Sequence, residues 1–237
     1  MDDSLTADHR DRLRAAGVQA SRVDSLVVRR VTEGLPEWWH GLGNALYLAP
    51  GARVPEAVLG ELMLIPMHRA LVVVGGPMDH LVSLLLGGDD ATVFLDERVV
   101  LTAGEVYCGA GSSIVLHGPV LATRCAVIDA RNGGSIVAAG DQLWAANVYL
   151  ATDDMHRLAD RVSGERLNPF GASIRLGEHV WLCRDAVVSG HVEIGDGACV
   201  AMRAVVRNQK VPAHSVVGGV PARVLRDEVR WDDDDLP

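Results

Sequence analysis

The stretch Leu176-Gly-Glu-His-Val-Trp-Leu-Cys-Arg-Asp-Ala-Val-Val-Ser-Gly-His-Val-Glu-Ile-Gly-Asp-Gly-Ala-Cys-Val-Ala-Met-Arg-Ala-Val-Val206 repeats itself every six residues. Aliphatic side chains recur at Leu176, Leu182, Val188, Ile194, Val200 and Val206 without a miss. Four residues after each of the first five stand Val180, Ala186, Val192, Ala198 and Ala204. The residue following each aliphatic is mostly small, as in Gly177, Cys183, Ser189, Gly195 and Ala201. A six-residue period fits neither an α-helix nor a simple alternating strand. It fits a solenoid of short parallel strands joined by tight corners, three hexads to a triangular coil. The aliphatic points inward, the small residue lets the chain turn, and stacking buries the column.

Working outward from this stretch, the count is recoverable from about residue 91, with interruptions. Leu95, Leu101 and Tyr107 form one set of three, Leu116, Ala122 and Ile128 a second, and Ala138, Trp144 and Leu150 a third. Successive sets begin 21, 22, 38 and 18 residues apart, against the 18 that three hexads require. The first two excesses are small corner bulges. The third, of 20 residues, is an excursion thrown out between Leu150 and Leu176. Long excursions on a rigid scaffold are where function tends to be carried. This one, read as residues 151–175, begins Ala151-Thr-Asp-Asp-Met-His156 and places a histidine at its root.

Composition supports a narrow stacked interior, because 49% of the 237 residues are hydrophobic but only 4% are aromatic. The net charge of −9 argues against a nucleic-acid surface. Cys108, Cys125, Cys183 and Cys199 show no CxxC spacing and read as reduced core or corner residues, which suggests the cytoplasm. No charged-then-apolar leader opens the sequence, and no apolar run reaches membrane-spanning length. Residues 1–90 read as a lead-in. It comprises a short helix over Leu5–Ala16 ended by Gly17, a loop-like stretch around Trp38, Trp39 and His40, and irregular strands at Leu62–Ile65, Ala70–Val74 and Leu81–Leu86. Residues 91–210 form the solenoid, and 211–237 a C-terminal cap and acidic tail. In that cap Val211-Pro212 leaves the last coil, and Val220–Trp231 reads as a short capping helix with Pro221 near its start. The run Asp232–Asp235 reads as a solvated tail.

From about residue 91 to Trp231 the chain resembles the hexapeptide-repeat acyltransferases, in particular O-acetyltransferases acting on sugars and polysaccharides. Three segments carry the resemblance: Asn147-Val-Tyr-Leu-Ala-Thr-Asp-Asp-Met-His156, Leu176-Gly-Glu-His-Val-Trp181 and Val216-Val-Gly-Gly-Val-Pro-Ala-Arg223. The resemblance implies an all-β left-handed parallel β-helix, although general crossover rules favour the right hand. It also implies a homotrimer with sites at the subunit clefts. The implied activity is acyl transfer from acetyl-CoA to a hydroxyl, with an amine or an antibiotic-like small molecule as the alternative acceptor. A non-catalytic scaffold is the third reading, and His156 argues against it.

Acyl transfer to a hydroxyl needs a base for the hydroxyl proton, and an imidazole with its ordinary pKa near ~6.5 suits that at neutral pH. By the resemblance His156 takes this role, with Asp154 or Asp153 orienting the ring. The coenzyme A positions carried over are Trp181, Ala201 and the Gly218-Gly219 turn, with Arg223 on a phosphate and Arg207 and Lys210 as further phosphate candidates. Four residues, Arg207-Asn-Gln-Lys210, stand where relatives commonly have three, so the assignment of Arg207 and Lys210 stays open. His117, His179 and His191 lie beside inward positions, and γ-class carbonic anhydrases build a three-histidine zinc site on this helix. Their spacing is not reproduced here, and no metal is expected.

Overall fold

The computed structural model describes residues 4–232, so all of the acidic tail except Asp232 lies outside the described residues. The chain winds into a triangular parallel solenoid with three sheet faces. The first face stacks Ala45–Leu48, Leu71–Val74, Thr92–Leu95, Ser113–Leu116, Ser135–Ala138 and Ser173–Leu176. The second stacks Leu81–Gly87, Gly104–Gly109, Val127–Ala130 and Tyr149–Ala151. The third stacks Val99–Leu101, Val120–Ala122, Gln142–Trp144, Val180–Leu182, Cys199–Val200 and Val216–Gly218. Two long strands, Val187–Ile194 and Val205–Val211, run round a corner and belong to both the second and first faces. Parallel stacking therefore begins at Ala45 and continues to Gly218.

The inward columns follow the hexad count. Leu95, Leu101, Leu116, Ala122, Ile128, Ala138, Trp144 and Leu150 are all buried, as are Leu176 to Val206 at six-residue steps. Val180, Ala186, Val192, Ala198 and Ala204 are buried too. Tyr107 is the exception. Val106, not Tyr107, pairs with Ile128, because the corner after Leu101 is one residue shorter than the corner after Ala122. That shift turns Tyr107 outward, where its ring packs under the Arg131 guanidinium at 3.8 Å.

A second apolar cluster lies outside the solenoid and was not legible in the hexads. Helix α1, Ala7–Ala16, is capped by the Thr6 side chain and stopped by Gly17 at φ 109°. With α2, Ala20–Ser25, it covers the outward residues Tyr47, Leu71, Val73, Phe94 and Val115 with Leu13, Val18 and Val23. This is why Leu71–Val74 and Thr92–Leu95 are buried on both sides. Polar pins fix the helices. His9 Nδ1 meets the Tyr47 hydroxyl at 2.9 Å, Arg12 donates to the Arg69 carbonyl at 2.6 Å, and Arg22 forks onto buried Asp96 at 2.8 and 2.6 Å.

Three expectations for the ends are corrected. Trp38–His40 is not a loop but part of helix α3, Glu37–Gly41, because Trp39 is drawn fully into the end of the core. Leu62–Ile65 is not a strand. It closes helix α4, Glu56–Leu62, whose Val58 and Leu62 sit four apart and share the buried face, while Leu64 and Ile65 are exposed. No capping helix forms after Val220. Arg223–Arg226 returns as a strand antiparallel to Val216–Gly218. The terminal coil offers a row of unpaired backbone groups, and pairing with that edge outweighs the helical propensity of a short segment. No helix among the described residues is long and apolar enough to cross a membrane.

Burial and the nearby Arg12 charge hold His9 below its ordinary imidazole value. The unfolded chain then takes up a proton that the folded chain refuses, so stability is full above about pH 6.5 and declines as pH falls below it. A His9→Gln variant should show a flatter melting temperature between about pH 7 and 5 than the parent in calorimetry. An unchanged slope would remove His9 from the acid sensitivity.

Candidate active site

The excursion leaves the solenoid after Ala151 and returns at Ser173 without disturbing the ladders on either side. Ala151 still pairs with Asp129 and Ser189, and Ser173 with Ser135. Its root is a succession of local bonds. Asp153 accepts from the Met155 amide at 2.5 Å through one oxygen and from the Asn132 side chain at 2.9 Å through the other. The His156 amide then donates back to the Asp154 carbonyl at 2.8 Å, a three-residue turn centred on Met155 at φ 65°. Such turns are uncommon for a non-glycine residue in general, though Met155 is one of fifteen non-glycine residues at positive φ among the described residues. Beyond the root the excursion doubles back as a hairpin through the Ala159–Arg166 bridge. Asn168 closes it, accepting the Leu158 amide at 2.8 Å and donating to the His156 carbonyl at 2.7 Å.

The His156 imidazole is exposed, and neither ring nitrogen has a hydrogen-bond partner among the described residues. Asp154 does not orient it. Both Asp154 oxygens receive the Arg207 guanidinium, at 2.9 and 2.8 Å, and that fork holds the carboxyl below its ordinary value. Asp153 is likewise spent on its turn. Arg207 is therefore a strut between the excursion root and strand Val205–Val211, not a free cation.

A cavity of about 220 Å³ lies under the root, lined by Thr152, Asp154, Leu158, Asn168, His191, Arg207 and Asn208 among others. An adjoining trough of about 500 Å³ shares His191 and Asn208 and runs to Lys210, which is paired with Glu193 at 2.6 Å. A bulge aims His191 here, with Gly190 and His191 facing Asn208 alone. Gly190 is required at that point, since its φ is 75° and a Cβ would collide with the Asn208 side-chain oxygen. His191 Nδ1 accepts the Ser173 amide at 3.2 Å, which leaves the ring proton of the neutral form on Nε2. His191, Asn208 and Asn168 carried no role in the sequence reading, because only folding brings residues 40 apart onto one cleft.

Trp181, Ala201, Gly219 and Arg223 lie elsewhere, spread along the third face and its terminal turn. Trp181 is half-buried with Trp231 at 5.9 Å, and Trp231 stacks on His179 at 3.8 Å. His179 is bonded to Asp141 at 2.6 Å and to the Trp231 carbonyl at 2.9 Å. Burial opposes its charge, but the carbonyl and carboxylate outweigh burial and raise its pKa. His117 instead faces the Gly17 carbonyl at 3.3 Å, so the three histidines beside the core serve three separate places.

Comparison with known proteins matches this architecture. The solved structure of the polySia specific acetyltransferase NeuO superposes with a TM-score of 0.61 at 20% identity, covering 71% of this chain and 77% of that one. The fold is the same. It is the parallel β-helix that the hexads predict, with the left hand that the resemblance implies. In sequence, a chloramphenicol acetyltransferase of Agrobacterium fabrum is 35% identical over 68 residues, 29% of this chain and 31% of that protein. An acyl-[acyl-carrier-protein]–UDP-N-acetylglucosamine O-acyltransferase of Burkholderia thailandensis is 46% identical over 55 residues, 23% of this chain and 21% of that protein. The matches thus span under a third of the length of these curated relatives. No protein-family model matches the chain.

Replacing Arg207 with Met should free the excursion root. A partly exposed bidentate pair is worth up to about 1 kcal/mol, so trypsin should cut after Arg157, Arg161 or Arg166 about two- to five-fold faster. Unchanged cleavage, with the fold intact by circular dichroism, would mean that Asn168 alone holds the loop.

Proposed function

We propose that the chain transfers an acetyl group from acetyl-CoA to a hydroxyl of a sugar or glycosylated metabolite, with His156 as general base. The observation that carries this reading is an exposed imidazole, without a ring partner among the described residues, on an excursion whose flanking residues Asp154 and Leu158 line a polar cleft that His156 itself does not line. A base must reach its proton through open space, and a ring committed to a carboxylate or carbonyl would not. The cleft is lined by the Asn168 and Asn208 amides and the His191 ring beside the apolar Leu158 and Leu167, a lining that suits a hydroxylated ring with one apolar face. The resemblance to a chloramphenicol acetyltransferase favours, as a second reading, a small-molecule hydroxyl outside the sugars.

In this reading the donor lies along the third face, with Trp181, Ala201 and Gly219 beside the pantetheine and Arg223 on a phosphate. Arg223 is exposed and forms no ion pair among the described residues, unlike Arg207 and Lys210, so it is the phosphate candidate we retain. Met155, Leu158, Val162, Leu167 and Phe170 expose apolar surface on the excursion. Such surface suits a subunit cleft, and we infer a homotrimer in the cytoplasm.

His156→Ala should lower turnover by ~10²–10⁴-fold while leaving coenzyme A affinity and oligomeric state unchanged, as free-thiol release with sugar and antibiotic acceptors would measure. A variant that keeps more than about a third of parent turnover at saturating acceptor would end the general-base role. Arg223→Glu should weaken coenzyme A binding, and dephospho-CoA binding less, in calorimetric titration. Equal affinities for parent and variant would take Arg223 off the phosphate.

A further inference from the structure

Of the four cysteines, two are brought together by the winding. Cys183 follows strand Val180–Leu182 and Cys199 opens strand Cys199–Val200 on the neighbouring coil, with their sulfurs 3.8 Å apart. Leu182 and Val200 point inward, so alternation turns both thiols to the outer side of the third face, next to Trp181, the register partner of Cys199. We propose that Cys183 and Cys199 form a thiol pair that a hydroperoxide oxidises to an intramolecular disulfide across two coils. This inference does not rest on the acyltransferase reading.

The two sulfurs have unequal surroundings. Cys183 is half-buried and reaches solvent, whereas Cys199 is buried. The contact between the two sulfurs holds the Cys183 thiol below its ordinary value and, together with burial, pushes the Cys199 thiol up, which favours the thiolate on Cys183. Cys108 offers a contrast, since it is fully enclosed and its thiol is pushed up to about 12. Closing the pair requires the sulfurs to approach from 3.8 Å to ~2.05 Å, and because Cys183 lies two places beyond Trp181, the register partner of Cys199, the corner at Cys183 must shift its backbone toward Cys199. No chain must unthread, because the residues sit on adjacent, hydrogen-bonded coils.

The chemistry is a two-electron oxidation. The Cys183 thiolate attacks the outer oxygen of the hydroperoxide, the O–O bond breaks, and an alcohol, or water from hydrogen peroxide, departs with one added proton. Cys183 is left as a sulfenic acid. The Cys199 sulfur then attacks the Cys183 sulfur, the S–O bond breaks, and water leaves carrying the Cys199 proton. Two thiols are oxidised, one peroxide is reduced, and one S–S bond forms.

The test uses the full chain, reduced and then exposed to hydrogen peroxide. After blocking of remaining thiols, trypsin should release residues 176–184 joined to 185–203, two hydrogen masses below the sum of the separate peptides. Dithiothreitol should separate them. Cys125→Ser should leave the cross-link intact, and Cys199→Ser should stop at a sulfenic acid that dimedone traps on Cys183. Recovery of the two peptides as separately alkylated or separately oxidised species would overturn the proposal. So would a cross-link found only between chains, or dimedone capture on Cys125 alone.

Discussion

Within the stack, each interior strand satisfies its backbone groups on the coil before it and the coil after it, and the rest of the structure depends on keeping that ladder in step. A buried amide or carbonyl left without a partner costs more than most side-chain contacts return. The chain therefore tolerates a change of length only at corners. Where a corner lost one residue after Leu101, the ladder kept its pairing and Tyr107 changed sides. Where the chain gained about twenty residues after Ala151, the surplus left the stack as a hairpin, and Ser173 resumed pairing with Ser135.

The same constraint shapes the ends. A parallel stack has two open edges and, unlike a globule, cannot curl to hide them. At the beginning Arg29–Arg30 pairs with Ala45–Leu48, and α3 and α4 fill the mouth of the core with Trp39, Val58 and Leu62. At the far end Arg223–Arg226 pairs with Val216–Gly218, and the chain then runs back to seat Trp231 on His179. The end cap thereby reaches the face that carries Trp181, so closing the solenoid and shaping that face are one structural event.

The cleft is held differently from the core. Its parts are a fork between Asp154 and Arg207, an amide clamp at Asn168, and a turn at Met155. These are polar, partly exposed contacts of modest strength, and they set the imidazole without enclosing it. A rigid solenoid beneath makes this sufficient. The cleft residues from the coils, His191, Arg207 and Asn208, ride on strands whose ladders fix their positions, and only the excursion needs separate bracing.

Period and spacing alone determined the solenoid, its inward columns from Leu116 to Val206 and the place where the chain leaves the stack. Those features repeat, so each coil reports on the next. The sequence also singled out His156, through its position at the root of the excursion. The partners of Asp154, the outward burial of Phe94 and Val115, the α3 and α4 helices and the returning terminal strand were decided only by tertiary structure. Each depends on a single contact between distant residues, such as Asp154 with Arg207 or Thr92–Leu95 with α1. A periodic pattern holds no record of such a pairing. An aspartate two residues before a histidine looks the same whether its carboxylate faces that ring or an arginine fifty-three positions on.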